Sequence, residues 1–254
     1  MKKILYSLPL FILLIFFFSC SEKEDKKKDE TEKITLALQF FVGNKDLNLL
    51  QEYQNDLEQR YLLENFKLYL SNFEFESIST NEVFKVENSY YLFSANREKN
   101  TFEREILVKK GEFNKINFSI GIDSITNTSL DNFGDLDISN SMAWDWNTGY
   151  KFVVMEGKYY NNDSNPRISI PLVFHIGQNQ NYKKVSLSFD TVNENGIFST
   201  KENKKIILKI DLNDFFSSPY QIDFNQINNI MGGEKSILFS QNYENNFVTL
   251  KEIE

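Results

Sequence analysis

The sequence predicts an all-β protein, an antiparallel β-sandwich with a short helical insertion. Short stretches in which apolar and polar residues alternate recur along the chain, and turn-forming residues separate most of them. The regular strand–helix–strand order of a parallel α/β sheet is not seen in the sequence. Roughly 220 residues follow the N-terminal segments, enough for one large all-β domain. A single sandwich domain is therefore expected over residues 34–254.

Two stretches give the clearest strand pattern. Ile34–Phe40 places an apolar residue at every second position, and so does Phe66–Leu70, after which Phe73 and Phe75 continue the pattern with a change of register at Ser71–Asn72. Further strands are predicted at Tyr90–Phe93, Glu105–Val108, Lys115–Ile120, Tyr150–Met155, Ile168–Ile176, Lys184–Phe189 and Lys205–Leu212. Local helix is predicted at Leu47–Leu63, which lacks Pro and Gly, and as a short turn at Asn213–Phe216.

The N-terminus predicts export and a lipid anchor. Lys2 and Lys3 precede an apolar run, Ile4–Phe18, that is too short to span a membrane, which takes about 20 residues. The run ends at Ser19 followed by Cys20, and this order resembles a bacterial lipobox, which implies cleavage before Cys20 and acylation of that cysteine. Residues 1–19 are thus expected to be a signal peptide. Residues 20–33 are expected to be the acylated cysteine and a charged, disordered tether.

Composition excludes several classes of function. The chain carries 28 Lys and Arg against 36 Asp and Glu, a net charge of −8, and removal of Lys2 and Lys3 with the signal peptide makes it more acidic. An acidic chain is a poor ligand for nucleic acid, which needs a basic face. Cys20 is the only cysteine, so an internal disulfide, a thiolate zinc site and a cysteine nucleophile are all excluded.

The most informative segment runs from Met142 to Tyr150 and contains both tryptophans of the chain. It is predicted to be a strand that continues into 151–155. Residues at every second position of a strand share a face, so Met142, Trp144 and Trp146 would lie together, each about 7 Å from the last. Such a patch suits either core packing or the wall of a copper or redox site.

An ordered set of segments resembles the MbnP-like family of secreted copper-binding proteins. The matching segments are Tyr69–Asn72, Tyr90–Leu92, Phe118–Asp123, Asn127, Gly134–Asp137, Met142–Phe152, Glu156–Gly157 and Phe174–Gly177. The resemblance implies a β-sandwich in the periplasm or on the cell surface, held here in the outer membrane by Cys20. It also implies copper bound by histidine beside a tryptophan oxidised to kynurenine, with a di-haem peroxidase-like partner.

Carried onto this sequence, the resemblance makes Trp144 or Trp146 the modified residue and His175 a copper ligand. The chain departs from the copper-binding members because His175 is its only histidine. Imidazole suits copper and thioether suits Cu(I), so Met142 and Met231 are further candidate ligands. The alternative is a lipid-anchored β-sandwich binding module that has lost the metal site.

Other kinds of site are less favoured by the sequence. An oxygen-rich loop offers a possible calcium site, formed by Asp123, Asn127, Asp131, Asp135 and Asp137, although the spacing is not that of an EF-hand. No catalytic residues are assigned. His175 is the only imidazole, and neither a nucleophile elbow nor a phosphate-binding glycine loop is present in the sequence. The chain is therefore expected not to be an enzyme.

Overall fold

A computed structural model of the chain describes residues 30–144, 149–161 and 166–254, and about half of these form β-strands. The strands, in chain order, are β1 (Thr31–Val42), β2 (Lys45–Asp46), β3 (Glu52–Gln54), β4 (Arg60–Ser77), β5 (Glu82–Lys85), β6 (Tyr90–Ser94), β7 (Thr101–Lys109), β8 (Glu112–Phe113), β9 (Lys115–Ile120), β10 (Lys151–Asn161), β11 (Ile168–Gly177), β12 (Lys183–Ser188), β13 (Phe198–Ser199), β14 (Lys205–Asp211), β15 (Asn229–Met231) and β16 (Val248–Ile253). The α-helices are α1 (Asp214–Ser217) and α2 (Ser236–Tyr243). Short 3-10 helices cover Thr126–Thr128, Gly134–Leu136, Ile138–Asn140, Asn179–Asn181 and Phe189–Thr191. No helix within the described ranges is both long and apolar enough to span a membrane.

The larger sheet is organised around the long strand β4. Within the described residues it has nine strands, in the order β12-β9-β4-β10-β11-β15, with β3, β5 and β6 also paired to β4. One edge of β4 pairs first with β10 and then with β9, and the other edge pairs with β3, β6 and β5 in turn. The expected change of register in β4 is confirmed, because its pairing with β9 shifts between Ser71 and Glu74. Asn72 has a left-handed backbone there, at φ 55°.

The smaller sheet contains a pair of parallel strands. β1 lies between β14 and β7, pairing parallel to the first and antiparallel to the second, and β16 and β2 complete the sheet. In the larger sheet β11 and β15 are also parallel. The prediction of an all-β antiparallel sandwich is confirmed, and the structure adds two parallel strand pairs, β1 with β14 and β11 with β15. Parallel pairing needs a long connection between the two strands, which strands so far apart in sequence possess.

The main hydrophobic core lies between the two sheets. One face of each contributes buried apolar side chains to a single cluster. Its members include Leu36, Leu38, Phe40, Leu208 and Ile210 from the smaller sheet and Phe66, Leu68, Val153, Met155 and Phe174 from the larger one. The alternation that predicted the first strand is therefore the alternation of core and surface on β1.

The predicted helix over Leu47–Leu63 is wrong, because this segment forms β3, a tight turn and the start of β4. The side chain of Asn55 closes the turn, its Oδ1 accepting hydrogen bonds from the amides of Leu57 and Gln59. Tyr53 and Tyr61 then face each other across the hairpin and are buried in the core. The predicted short helical turn at Asn213–Phe216 is confirmed as α1, whereas α2, β15 and β16 were not foreseen.

A second layer covers the outer face of the larger sheet. It consists of residues 121–144, here called the covering segment, which contains three of the 3-10 helices. A small cluster of buried side chains lies between it and the sheet: Tyr69, Ile122, Leu136, Met142, Tyr150, Phe152 and Val154. The hydroxyl of Tyr69 donates to the carbonyl of Asp135 at 2.7 Å, and Lys67 donates to the carbonyl of Asn140 at 2.9 Å. Trp144, the last residue of the covering segment, therefore lies on the outer face of the larger sheet.

Candidate metal site

The tryptophan segment folds as a hairpin and not as one continuous strand. Ala143 and Tyr150 form an isolated antiparallel bridge. The amide of Trp144 donates to the carbonyl of Gly149 at 3.0 Å, and the amide of Lys151 donates to the carbonyl of Met142 at 2.6 Å. The predicted uninterrupted strand from 142 to 155 is therefore wrong, because alternation of aromatic and small residues fits both arms of a hairpin as well as one strand. Trp146 lies in residues 145–148, outside the described residues.

Asn127 fixes the base of this hairpin. Its Oδ1 accepts a hydrogen bond from the amide of Tyr150 at 2.7 Å, and its Nδ2 donates to Oδ1 of Asn179 at 3.0 Å. The hydroxyl of Tyr150 in turn donates to the carbonyl of Leu136 at 2.8 Å. Asn127 therefore acts in the structure as a link between the covering segment, the hairpin and the turn after β11.

Trp144 and His175 meet on the outer face of the larger sheet. Their ring centroids are 5.9 Å apart with the planes at 61°, an edge-to-face arrangement. Trp144 is 6% exposed. The ammonium of Lys151 lies 5.7 Å from the centroid of the indole, within the range of a cation–π interaction. The structure thus places in contact two residues, Trp144 and His175, that the sequence predicted to belong to the site.

Gly177 makes room for the indole. A Cβ atom at this position would lie 2.5 Å from the carbonyl oxygen of Tyr150 and 3.1 Å from Nε1 of Trp144. Both distances are shorter than ordinary van der Waals contact, so any other residue would push the hairpin away from β11. The lack of a side chain at Gly177 therefore allows Trp144 to pack against His175.

His175 lies on the outward face of β11 and is held by a carboxylate. Its Cα partner on β10 is Val154, whose side chain belongs to the cluster under the covering segment. Nε2 of His175 is 2.7 Å from Oε1 of Glu156, and the imidazole side chain is 12% exposed. Oε2 of the same carboxylate accepts a hydrogen bond from Nδ2 of Asn65 at 2.9 Å. Both oxygens of Glu156 therefore have a partner.

The electrostatics of the site keep Glu156 ionised. Burial of the carboxyl raises its pKa, but the hydrogen bonds from Asn65 and His175 and the positive charge of Lys151 together outweigh burial, so that the pKa lies below its ordinary value. At neutral pH Glu156 is thus a carboxylate that accepts hydrogen bonds and cannot donate one.

Glu156 shares the outward face of β10 with Val154 by ordinary strand alternation, and a β-bulge follows it. Glu156 pairs with Asn65 whereas the next residue, Gly157, pairs with Leu63, so one residue of β4 is left over. A Cβ on Gly157 would lie 2.1 Å from the carbonyl oxygen of Leu62. The two strands therefore approach so closely at the bulge that only glycine fits there.

The two candidate thioether ligands have different positions. Met142 is fully buried in the cluster under the covering segment, so its side chain serves as packing. Met231 is the Cα partner of His175 on the neighbouring parallel strand β15 and is 55% exposed. The amide of Gly232 donates to the carbonyl of His175 at 3.0 Å, which ties the strands together at this point. Of the two methionines, Met231 is thus the one beside the histidine.

The donor set at this site fits a soft, low-coordinate metal ion. Across the described ranges, no group of three or more His, Cys, Asp or Glu side chains is placed to hold a metal ion. A neutral imidazole with a thioether nearby matches the preference of Cu(I), which accepts few and soft ligands. The site does not offer the set of hard or imidazole ligands that Zn²⁺ or Cu(II) generally takes.

The acidic residues of the covering segment have separate structural partners. Asp123 accepts hydrogen bonds from the hydroxyl of Tyr90 at 2.6 Å and from the amide of Thr126 at 3.1 Å. Burial raises the pKa of Asp123, but these hydrogen bonds bring it below its ordinary value.

Two of the other predicted calcium ligands also accept hydrogen bonds from the protein, and a third is exposed to solvent. Asp135 accepts from the amide of Leu92 at 2.8 Å and forms an ion pair with Arg104 at 3.3 Å. Asp137 accepts from the amide of Ser139 at 2.8 Å and begins a 3-10 helix, while Asp131 is exposed. Within the part of the chain that the structure describes, no three of these acidic side chains are grouped to hold a metal ion, and calcium binding stays a prediction.

Sequence reasoning did not identify Glu156 and Asn65 as site residues. The two are 91 positions apart in sequence and become neighbours only through the pairing of β4 with β10. The sequence held one indication of Glu156, because Glu156–Gly157 is among the segments that resemble the MbnP-like family.

Comparison with known proteins agrees with this fold. The sequence model of the MbnP family matches residues 31–232. Among solved structures, MbnP from Methylosinus trichosporium is similar with a TM-score of 0.54 and 17% sequence identity, covering 80% of this chain and 82% of that one. At this identity the likeness shows a shared fold. A search of curated proteins finds no match. The resemblance seen in the sequence is confirmed, and the chain belongs to the MbnP family.

Proposed function

We propose that this chain is an envelope-anchored copper-binding protein whose metal site is formed by His175 and Met231 beside Trp144. The observation that carries the proposal is the contact between Trp144 and the solitary imidazole of His175, whose Cα partner on the neighbouring strand is Met231. The carboxylate behind the histidine adds support, since metal-binding imidazoles generally donate their second ring N–H to such a group.

In this proposal two residues are the copper ligands and a third balances the local charge. His175 and Met231 supply the soft donors, and Glu156 balances the charge of the neighbouring Lys151, so that the patch does not repel a cation. When bound, copper would supply one-electron redox chemistry next to an aromatic ring. Trp144 and the covering segment would shield that chemistry from water on one side.

Trp144 is the proposed site of oxidation to kynurenine. Its ring lies edge-to-face against that of His175, whereas Trp146 lies beyond the described residues. The family resemblance supports a di-haem peroxidase-like partner as the source of oxidising equivalents. The protein itself is proposed to be the substrate of that oxidation and the holder of the metal, and not an enzyme.

The proposed location is the bacterial cell envelope, in the outer membrane through acylated Cys20. The support is the sequence of the N-terminal region, a short apolar run that ends in Ser19-Cys20 and is followed by a charged tether. The acidic charge of the chain is consistent with a protein that does not bind nucleic acid.

Copper binding is tested by titration. Wild-type protein should compete with a chromophoric Cu(I) chelator, and His175→Ala should weaken the affinity by roughly tenfold or more, because loss of one ligand of a two-ligand site costs at least about 1.4 kcal/mol. Met231→Leu should weaken binding as well. Met142→Leu is the matched control and should bind copper like wild type, since that methionine is fully buried as packing in the cluster under the covering segment. Equal affinity of wild type and His175→Ala would refute this site.

Tryptophan oxidation is tested by the mass of the protein purified from its native envelope. Cleavage of the indole ring to kynurenine makes the chain slightly heavier than the same processed and acylated chain with intact indoles, which is the unmodified chain of this comparison. The increase should be absent in Trp144→Phe and retained in Trp146→Phe. A native mass equal to that of the unmodified chain would contradict the proposal for oxidation and leave the copper titration as an independent result.

A second candidate is a lipid-anchored binding module that keeps the fold and has lost the metal. The observation that favours it is the single imidazole together with the lack, among the described residues, of any cluster of three metal-binding side chains. It predicts that wild-type protein does not compete for Cu(I) at all.

A further inference from the structure

The hydrogen bond between Glu156 and His175 affects the tautomer of the imidazole as well as its orientation. Neutral imidazole has one protonated and one unprotonated ring nitrogen, and only the unprotonated one can bind a metal. Which nitrogen is protonated depends on the hydrogen bond that the other makes. The contacts of His175 therefore decide which of its atoms faces a ligand as a donor.

The hydrogen bond of His175 is made through Nε2. This atom lies 2.7 Å from Oε1 of Glu156, and among the described residues it is the hydrogen bond that the imidazole makes. A glutamate side chain is ordinarily ionised at neutral pH, and the second oxygen of Glu156 also accepts a hydrogen bond, from Asn65. An ionised carboxylate has no proton to donate, so the proton in this bond belongs to Nε2.

The carboxylate is itself fixed by the fold. Its second oxygen accepts from Asn65 at 2.9 Å, and Asn65 is its Cα partner across the strand pair. The bulge at Gly157 and the close approach of the Leu62 carbonyl set the local direction of β10. Glu156 therefore cannot turn away from His175 without losing a second hydrogen bond.

We infer that Glu156 is the positioning residue of this site: it holds His175 in the Nε2–H tautomer and leaves Nδ1 as the atom that binds the metal. The inference rests on the proposed function for the identity of the ligand, a soft cation such as Cu(I). The tautomer itself does not depend on copper and is measurable without it.

The experiment uses the solitary histidine as its own label. The full chain, labelled with ¹⁵N and purified through an affinity tag without histidine, has one imidazole and gives one set of ring signals in a long-range ¹H–¹⁵N spectrum. At a pH where the imidazole is neutral, Nε2 should resonate as a protonated ring nitrogen and Nδ1 as an unprotonated one. A wild-type spectrum with the opposite pattern, or with averaged shifts for two equal tautomers, would overturn the inference.

The Glu156→Gln variant reverses the hydrogen bond. Asn65 continues to require an oxygen from this side chain, so the new amide nitrogen faces His175 and donates to Nε2. The tautomer should therefore switch to Nδ1–H. Glu64→Gln is the control, because that neighbouring carboxylate pairs with Lys158 instead, and its spectrum should match wild type. A Glu156→Gln spectrum that keeps the wild-type pattern would show that another contact sets the tautomer.

Measurements of copper affinity separate the role of Glu156 from the proposed copper binding. If copper binds at Nδ1, Glu156→Gln should weaken Cu(I) binding by about 10- to 100-fold, the usual range for loss of a group that orients a metal ligand. An Nε2–H tautomer without any copper binding would refute the proposed function and sustain the role of Glu156. Copper binding that is equally tight in Glu156→Gln would refute the role and sustain the function. The wild-type spectrum decides the tautomer even if the variant fails to fold.

Discussion

Phe174→Ala should lower the free energy of unfolding by about 3–5 kcal/mol, the usual cost of removing a large aromatic side chain from a core. Phe174 is fully buried on the inner face of β11, next to His175 on the outer face. Its ring lies 4.7 Å from that of Phe239 and 6.0 Å from that of Phe216, centroid to centroid. Thermal unfolding followed by circular dichroism should show a midpoint roughly 10 °C below wild type.

Phe133→Ala is the matched control for this variant. Phe133 is 87% exposed on the covering segment, so its replacement should change stability by no more than about 0.5 kcal/mol. If both variants unfold at the wild-type temperature, Phe174 does not pack between the two sheets as described. A large loss in Phe133→Ala would mean that its ring is covered in the folded protein.

Gly157→Ala should destabilise the protein by about 1–3 kcal/mol, the usual cost of forcing extra atoms into a packed site. In an ordinary extended position the same change would stabilise by about 0.4–1 kcal/mol, because alanine has less freedom in the unfolded chain. The contact of 2.1 Å with the carbonyl oxygen of Leu62 decides the sign. Backbone atoms of β4 must move to admit the methyl group, and a denaturant titration should show a lower midpoint.

Gly111→Ala serves as the comparison for Gly157→Ala. A Cβ atom at Gly111 would have its closest contact at 3.7 Å, with the ring of Phe113, which is ordinary packing. Its stability should equal or slightly exceed that of wild type. Equal midpoints for the two variants would show that β10 has room for a side chain opposite the bulge in β4.

Strands with a strong alternating pattern were predictable from the sequence. Ile34–Phe40 lies within β1, and Lys115–Ile120 coincides with β9, because burial on one face of a strand leaves a period of two in the residues. The helix predicted over 47–63 failed because absence of Pro and Gly permits a helix without requiring one. There the alternation of Tyr53, Tyr61 and Leu63 into the core decided the structure.

The candidate site was predictable only in part. His175 and Trp144 were chosen by residue type and by family resemblance, and the structure places them in contact. Met142 was chosen by assuming one continuous strand, but Ala143 pairs with Tyr150, and Met142 is buried in the small cluster on the outer face of the larger sheet. Glu156 and Asn65 were missed because the partner of a strand residue depends on strand order and bulges, which a single sequence does not reveal.

The parallel pairing of β1 with β14 has a consequence for the timing of folding. The first strand of the smaller sheet hydrogen-bonds to residues 205–211, so a ribosome must finish most of the chain before that partner exists. Proteins rich in such distant contacts fold slowly. In a newly made chain the central strand of the smaller sheet therefore waits without its parallel neighbour until residues 205–211 have been synthesised, and that sheet closes late.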